Sequence, residues 1–460
     1  MDESASAITK NNTLSIISFY ERLVYFSDKT AFRNQVTEWS YAELAEMIRK
    51  YIGTFSLFTE KYIFLNIDNP VLFCAAFFSV IICGKVVVFG DIEKFGDDGV
   101  AVSEKDLNSI TEQSEIIDLW KFAIDTEAPC VIMRSSGTTS VSKNVMLSQK
   151  NLMTEIITLT GLKLFTKDDI YLHFLPFSHL FGLMGDLLLP LFVGAVVCFG
   201  NKRSIFEDMT FFNPTQMCLP PVALDSIIYL IDSSGCKESV VGTSLHRIIT
   251  GGANIKEHSA EMLKLHGIDV IKAYGLTECS PCISIDFPDE QKHGSVGHIL
   301  PCCDVKIISG EITVAGDTVM AGYWNDLDST KRVIRDGRLY TGDLGSLDSD
   351  GYLYLSGRKT NLIVFDNSTK IVPEEVEKKI LSIPEISECI VVDNSTGKHI
   401  KADIYIVSSE TEHKSEIIPQ VKKILYEYCH AEYVGEIHFS NIALRRNELG
   451  KINRHFYRKS

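Results

Sequence analysis

The chain has 460 residues, 45% of them apolar and 23% charged, and a formal net charge of −15. That length exceeds a single small module, since domains run to roughly 100–200 residues, and the apolar share excludes a mainly disordered chain. A pI near 5.3 argues against nucleic acid as a partner, because a phosphate-backbone binder presents a basic face.

The opening Met1-Asp2-Glu3-Ser4 is acidic where a secretory leader is basic, and twelve cysteines over this length are too sparse for a disulfide scaffold. Together they predict reduced thiols and a cytoplasmic location. The longest apolar run, Val71 to Cys83, is broken by Gly84-Lys85. It falls short of the roughly 20 residues that span a bilayer and predicts a buried helix. Leu180 to Val197 is interrupted by Gly182, Gly185, Asp186, Pro190 and Gly194, so no transmembrane segment is expected.

Short β-branched runs at 85–89, 130–133 and 195–199 alternate with amphipathic stretches, the pattern of an α/β fold. From about Gly294 the texture changes to short strands bounded by glycine, at 310–314 and 351–355, which predicts a mainly antiparallel region. Pro373-Glu374-Glu375 opens a helix, with Val376, Ile380 and Leu381 at helical spacing behind it. Strands follow at 389–392 and 402–407. A boundary near Gly357-Arg358 divides the chain into domains 1–357 and 358–460.

Directly after the strand at 130–133 comes Arg134-Ser135-Ser136-Gly137-Thr138-Thr139-Ser140-Val141-Ser142-Lys143-Asn144. Hydroxyls around a glycine, followed by a lysine, supply what a polyphosphate needs: backbone N–H groups, O–H donors and a cation. A Ser/Thr-rich stretch alone is usually a simple turn. A Walker A loop is excluded by spacing, since Ser142 precedes Lys143 where that motif needs glycine and Asn144 replaces Ser/Thr.

This loop resembles the phosphate-binding loop of the adenylate-forming superfamily of acyl-CoA synthetases, luciferases and peptide-synthetase adenylation domains. Further segments match that family in its order: Pro176-Phe177-Ser178-His179-Leu180-Phe181-Gly182, then Gly251-Gly252-Ala253, then Tyr274-Gly275-Leu276-Thr277-Glu278. After these come Tyr340-Thr341-Gly342-Asp343 with Gly357-Arg358, and Gly450-Lys451-Ile452-Asn453-Arg454. The resemblance covers the chain from about Val86 to its end. It implies a large N-terminal domain of α/β layers with a distorted β-barrel-like part, and a small mobile α+β C-terminal domain.

The resemblance also assigns roles. Ser135, Ser136, Gly137, Thr138, Thr139 and Lys143 would hold the β and γ phosphates of ATP. Gly252, Ala253, Tyr274 and Gly275 would bound the adenine site, Thr277 would bond the α-phosphate, and Glu278 would ligate Mg²⁺. Asp343 would accept both ribose hydroxyls, Arg358 would contact ribose or fix a hinge, and Lys451 would bridge carboxylate and phosphate. His179 would gate the acyl pocket, although a lone histidine in an apolar segment is as readily a core residue. No aspartate stands in Phe177-Ser178-His179 to pair with an α-ammonium, so the expected substrate is a fatty or aryl acid.

The chain departs from the family pattern at Ser140, Ser142 and Asn144 in the loop, at Thr360 in the hinge, and at Ser368, where relatives have glycine. Cys279, Cys282, Cys302 and Cys303 invite a zinc reading, but adjacent Cys302 and Cys303 are expected to diverge in a strand. The resemblance implies an AMP-forming acid–thiol ligase: a small-molecule carboxylic acid and ATP give acyl-AMP and pyrophosphate, and coenzyme A takes the acyl group. Two alternatives stand beside it. One loads the phosphopantetheine of a carrier protein, and the other is a nucleotide-binding relative with impaired catalysis.

Overall fold

The structure is a computed structural model and describes residues 14–111, 122, 124–135, 143–200, 205–252, 257–287, 290–394, 400–408, 414–446 and 452–458. The chain divides into two compact units, Met1–Val305 with Val314–Leu339, and Lys306–Thr313 with Tyr340–Ser460.

In the first unit the β-branched runs pair in parallel, as their near-continuous apolarity predicts. One sheet is ordered Gly322–Tyr323, Asn144–Ser148, Pro129–Arg134, Val86–Phe89, Tyr62–Asn66, Gly99–Ser103. Its last four strands are parallel, and its first two join antiparallel. A second sheet has a parallel centre of Asp269–Gly275, Arg247–Gly251, Gln216–Leu219, Ile170–His173, Val196–Phe199 and Thr30–Arg33. Antiparallel strands flank that centre: Cys282–Ile285 beside Asp269–Gly275 and Glu38–Ser40 beside Thr30–Arg33.

The apolar run predicted as a buried helix is one, Pro70–Ile82. Asn69 caps it by accepting from the Val71 and Leu72 amides, and proline holds the first helical position. Its side chains are apolar all round and almost all buried, which requires neighbours on every side. Among the described residues no helix is long and apolar enough to cross a membrane.

The second unit is α+β. Strands 388–394, 401–407 and 434–440 form one sheet, covered by helices Pro373–Ile380 and Lys414–Tyr426 through Val376, Ile380, Val391, Ile404 and Val421. Before it an antiparallel ladder sets Asp343 opposite Arg358 and Leu347 opposite Leu353. Ser368 has φ +65° in the turn joining Ile363–Val364 to Lys370–Ile371. The left-handed backbone that suits glycine is therefore kept here by a serine, at a cost of roughly 1–2 kcal/mol.

One expectation is corrected. Cys302 and Cys303 lie in a turn, where the Cys303 amide bonds the Leu300 carbonyl at 2.9 Å, and their sulfurs stand 3.9 Å apart. A turn brings neighbouring side chains together where a strand would send them to opposite faces. Among the described residues these cysteines still form no cluster of three ligand atoms close enough for one metal ion.

Candidate active site

Loops at the carboxyl ends of parallel strands line the crevice of an open α/β sheet, and several candidate residues lie there. Arg247–Gly251 and Asp269–Gly275 are parallel neighbours with Gly251 opposite Ala273. Gly252, just past its strand, therefore lies beside Tyr274, near the end of the next. Gly275 is required by space: a Cβ there would come within 1.8 Å of the Pro281 carbonyl oxygen. The chain then turns through the short helix Thr277–Cys279, and the Glu278 carbonyl accepts the Met320 amide at 3.0 Å.

Pro129–Arg134 and Asn144–Ser148 form an antiparallel hairpin on either side of the hydroxyl-rich stretch, with Arg134 opposite Asn144. Ser135 and Lys143 close its base twice. The Ser135 amide donates to the Lys143 carbonyl at 2.8 Å, and the Lys143 amide donates to the Ser135 hydroxyl at 3.2 Å. Ser136, Gly137, Thr138 and Thr139 lie outside the described residues, as does Ala253.

The base of the hairpin and the acidic motif meet at Tyr323, a residue that the sequence did not single out. Gly322–Tyr323 pairs with the outgoing strand of the hairpin, Tyr323 opposite Val145. The Lys143 ammonium lies 4.5 Å from the Tyr323 ring centroid, within cation–π range. The Tyr323 hydroxyl donates to Glu278 Oε1 at 2.9 Å. One aromatic ring thus separates the cation of the phosphate loop from the carboxylate expected to bind magnesium. No motif announces Tyr323, because its place depends on pairing with a strand far away in sequence.

A buried carboxylate supports the same turn. Glu155, on helix Gln149–Gly161, is 1% exposed and accepts the Cys282 amide at 2.8 Å. Burial pushes its carboxyl well up from the usual range.

His179 caps the helical turn Leu180–Gly182. Its amide donates to the Pro176 carbonyl and its own carbonyl accepts from Leu183. Phe177, two residues earlier, stacks on Phe73 at 5.2 Å and lies 4.3 Å from the His173 ring.

In the second unit, Asp343 Oδ1 receives Arg358 Nε at 2.6 Å, and Arg358 also donates to the Thr341 carbonyl at 3.1 Å. Arg358 thereby orients the Asp343 carboxylate. Lys451 lies outside the described residues. On either side of it, Arg446 pairs with Ile452 and the Asn453 amide donates to the Arg445 carbonyl at 2.8 Å. Arg454 follows, held by both oxygens of Glu377 at 2.7 and 2.5 Å.

A hydroxyl-lysine hairpin and an acidic turn thus meet beside the strand ends of an α/β fold. A family model described as AMP-binding enzyme matches residues 83–324, and the chain belongs to that family. Two of its relatives are the indoleacetate–CoA ligase of Aromatoleum aromaticum and a probable 4-coumarate–CoA ligase of Dictyostelium discoideum. The first is 29% identical over 72% of this chain and 67% of its own length. The second is 30% identical over 82% of this chain and 69% of its own length. A solved structure of O-succinylbenzoate CoA synthetase from Bacillus subtilis, with ATP and magnesium, superposes with TM-score 0.77 at 21% identity. It covers 95% of this chain and 98% of the other, a likeness of fold.

Proposed function

We propose that the chain is an AMP-forming acid–thiol ligase that activates a fatty or aryl acid and passes the acyl group to coenzyme A. The carboxylate oxygen bonds to the α-phosphorus of ATP, the bond from that phosphorus to the bridging oxygen breaks, and pyrophosphate leaves. The thiol then bonds to the acyl carbon as AMP departs, and its proton is released. Both reactants of the first step are anions, so the main work of the site is charge neutralisation and alignment.

The Lys143–Tyr323–Glu278 arrangement carries this reading. Lys143, with Ser135 and the hydroxyls and backbone of Ser136 to Thr139, would hold the β and γ phosphates. Thr277 would bond the α-phosphate, and Gly252, Ala253, Tyr274 and Gly275 would bound the adenine. Glu278 supplies the hard oxygen donor that Mg²⁺ prefers, and Tyr323 holds that carboxylate in place. When bound, Mg²⁺ supplies neutralisation of polyphosphate charge. A carboxylate offers about four lone-pair sites, so Asp343 can accept ribose hydroxyls while Arg358 holds it.

Residues 358–460 would act as the mobile domain that presents Lys451 to the first step and withdraws it for the second, with 1–357 holding nucleotide and acid. A cytoplasmic location accords with the free cysteines. The deciding experiment is acid-dependent pyrophosphate release from ATP across a panel of aryl and fatty acids, repeated with Glu278→Gln. At least one acid should give release, reduced about 100-fold or more in the variant. No release with any acid would leave the impaired relative as the better reading. Offering the charged enzyme coenzyme A and carrier proteins separately then identifies the acceptor.

A further inference from the structure

Asp186 is a carboxylate with no exposure in an otherwise apolar helix, and the proposed chemistry gives it no role. It sits on the π-helical segment Leu183–Leu188, a geometry found mostly as local bulges, frequently at functional sites. Its Oδ2 accepts the amides of Phe174 at 3.0 Å and Leu175 at 2.8 Å. His173 Nδ1 stands 3.4 Å from the same oxygen. Cys218 also lies beside it, and its thiol is pushed well up by burial and then by the Asp186 charge.

These contacts fall on one short segment. Phe174 and Leu175 lead into Pro176-Phe177-Ser178-His179, and the helix that carries Asp186 begins directly after it. Gly182 packs so closely on this loop that a Cβ would meet the Pro176 and Leu175 carbonyl oxygens at 2.5 and 2.8 Å. Close packing fixes the return of the helix, and Asp186 fixes the exit from the Ile170–His173 strand. Phe177 is held among Phe73, His173 and Phe199; His173 and Phe199 end their strands, and Phe73 lies on helix Pro70–Ile82. A buried carboxylate that receives two backbone N–H groups is costly to remove, because both donors are then left without partners.

We propose that Asp186 is a positioning residue for the acid-binding wall: it holds the 174–179 segment, with His173 beside it, so that Phe177 and His179 face the acid. This rests on the reading of the Phe177–His179 segment as the wall of the acyl site. Asp186 acts through the loop and touches no reactant.

The test is steady-state pyrophosphate release by the full chain, varying acid and ATP separately, for Asp186→Ala, Asp186→Asn, His173→Gln and Phe177→Ala. Asparagine retains an oxygen acceptor for the two amides and alanine retains none. Asp186→Ala should raise KM for the acid by about tenfold or more, and Asp186→Asn and His173→Gln should raise it severalfold. KM for ATP should stay within about twofold in each. If the alanine variant does not fold, the asparagine and glutamine variants carry the same comparison. An unchanged acid KM in those two, or equal shifts in both KM values, would overturn the inference. An unchanged acid KM in Phe177→Ala would instead overturn the assignment of the acyl wall itself.

Discussion

Single side chains show why the chemistry-bearing residues cannot be understood one at a time. Glu278 was identifiable from its motif, but the group that holds its carboxylate, Tyr323, was not. Tyr323→Phe removes one hydrogen bond to a charged acceptor, worth about 1.5–3 kcal/mol. Pyrophosphate release measured well below the thermal midpoint should fall about tenfold or more, and the midpoint itself should drop by only about a few degrees, a comparison that separates a site effect from unfolding. Glu155 shows the opposite case, a carboxyl whose task is structural. Its pKa in the folded chain lies well above its ordinary value because of burial. The unfolded chain therefore loses this proton at lower pH than the folded chain does. The stability contribution is complete below about pH 4.3, the unfolded value, and is lost as pH rises toward the folded value. Glu155→Gln keeps an acceptor for the Cys282 amide without titrating. Its urea midpoint relative to the parent should accordingly improve from pH 5 to pH 8; a constant or falling difference would contradict a raised carboxyl.

Elements are joined here by a few long-range polar ties as much as by apolar packing. The C-terminal segment is fastened to helix Pro373–Ile380 through Arg454, which donates twice to Glu377 and once to the Val391 carbonyl. Glu377 in turn accepts the Val391 amide at 2.7 Å. Removing one member strands the other, so Arg454→Met should cost about 3–5 kcal/mol in urea unfolding of the full chain. The double variant Arg454→Met/Glu377→Gln should recover part of that loss, since glutamine still accepts from Val391 and leaves no unpaired charge. The sequence presented Arg454 only as the last residue of the Gly450–Arg454 motif. Its partner lies 77 residues away, and nothing local marks the pair. By contrast, the strands at 130–133 and 195–199 and the helix behind Pro373 were legible, because periodicity and capping act over a few residues.

For the whole molecule, the testable claim is that the two half-reactions depend on different parts of the chain. Lys451→Ala should lower acyl-AMP formation about 100-fold or more. Thioester formation from supplied acyl-AMP should persist close to the parent rate. Measuring both on one preparation decides it, since equal losses would remove Lys451 from its step-specific role. The sequence by itself determined the α/β class, the order of the motifs and the residue types within them. Those features are local, set by residue spacing over short stretches of chain. Only the tertiary structure decided that Tyr323 stands between Lys143 and Glu278, that Asp186 and Glu155 are buried against backbone amides, and that Cys302 and Cys303 meet in a turn. Each depends on where the folded backbone places residues in space, which composition and periodicity do not encode.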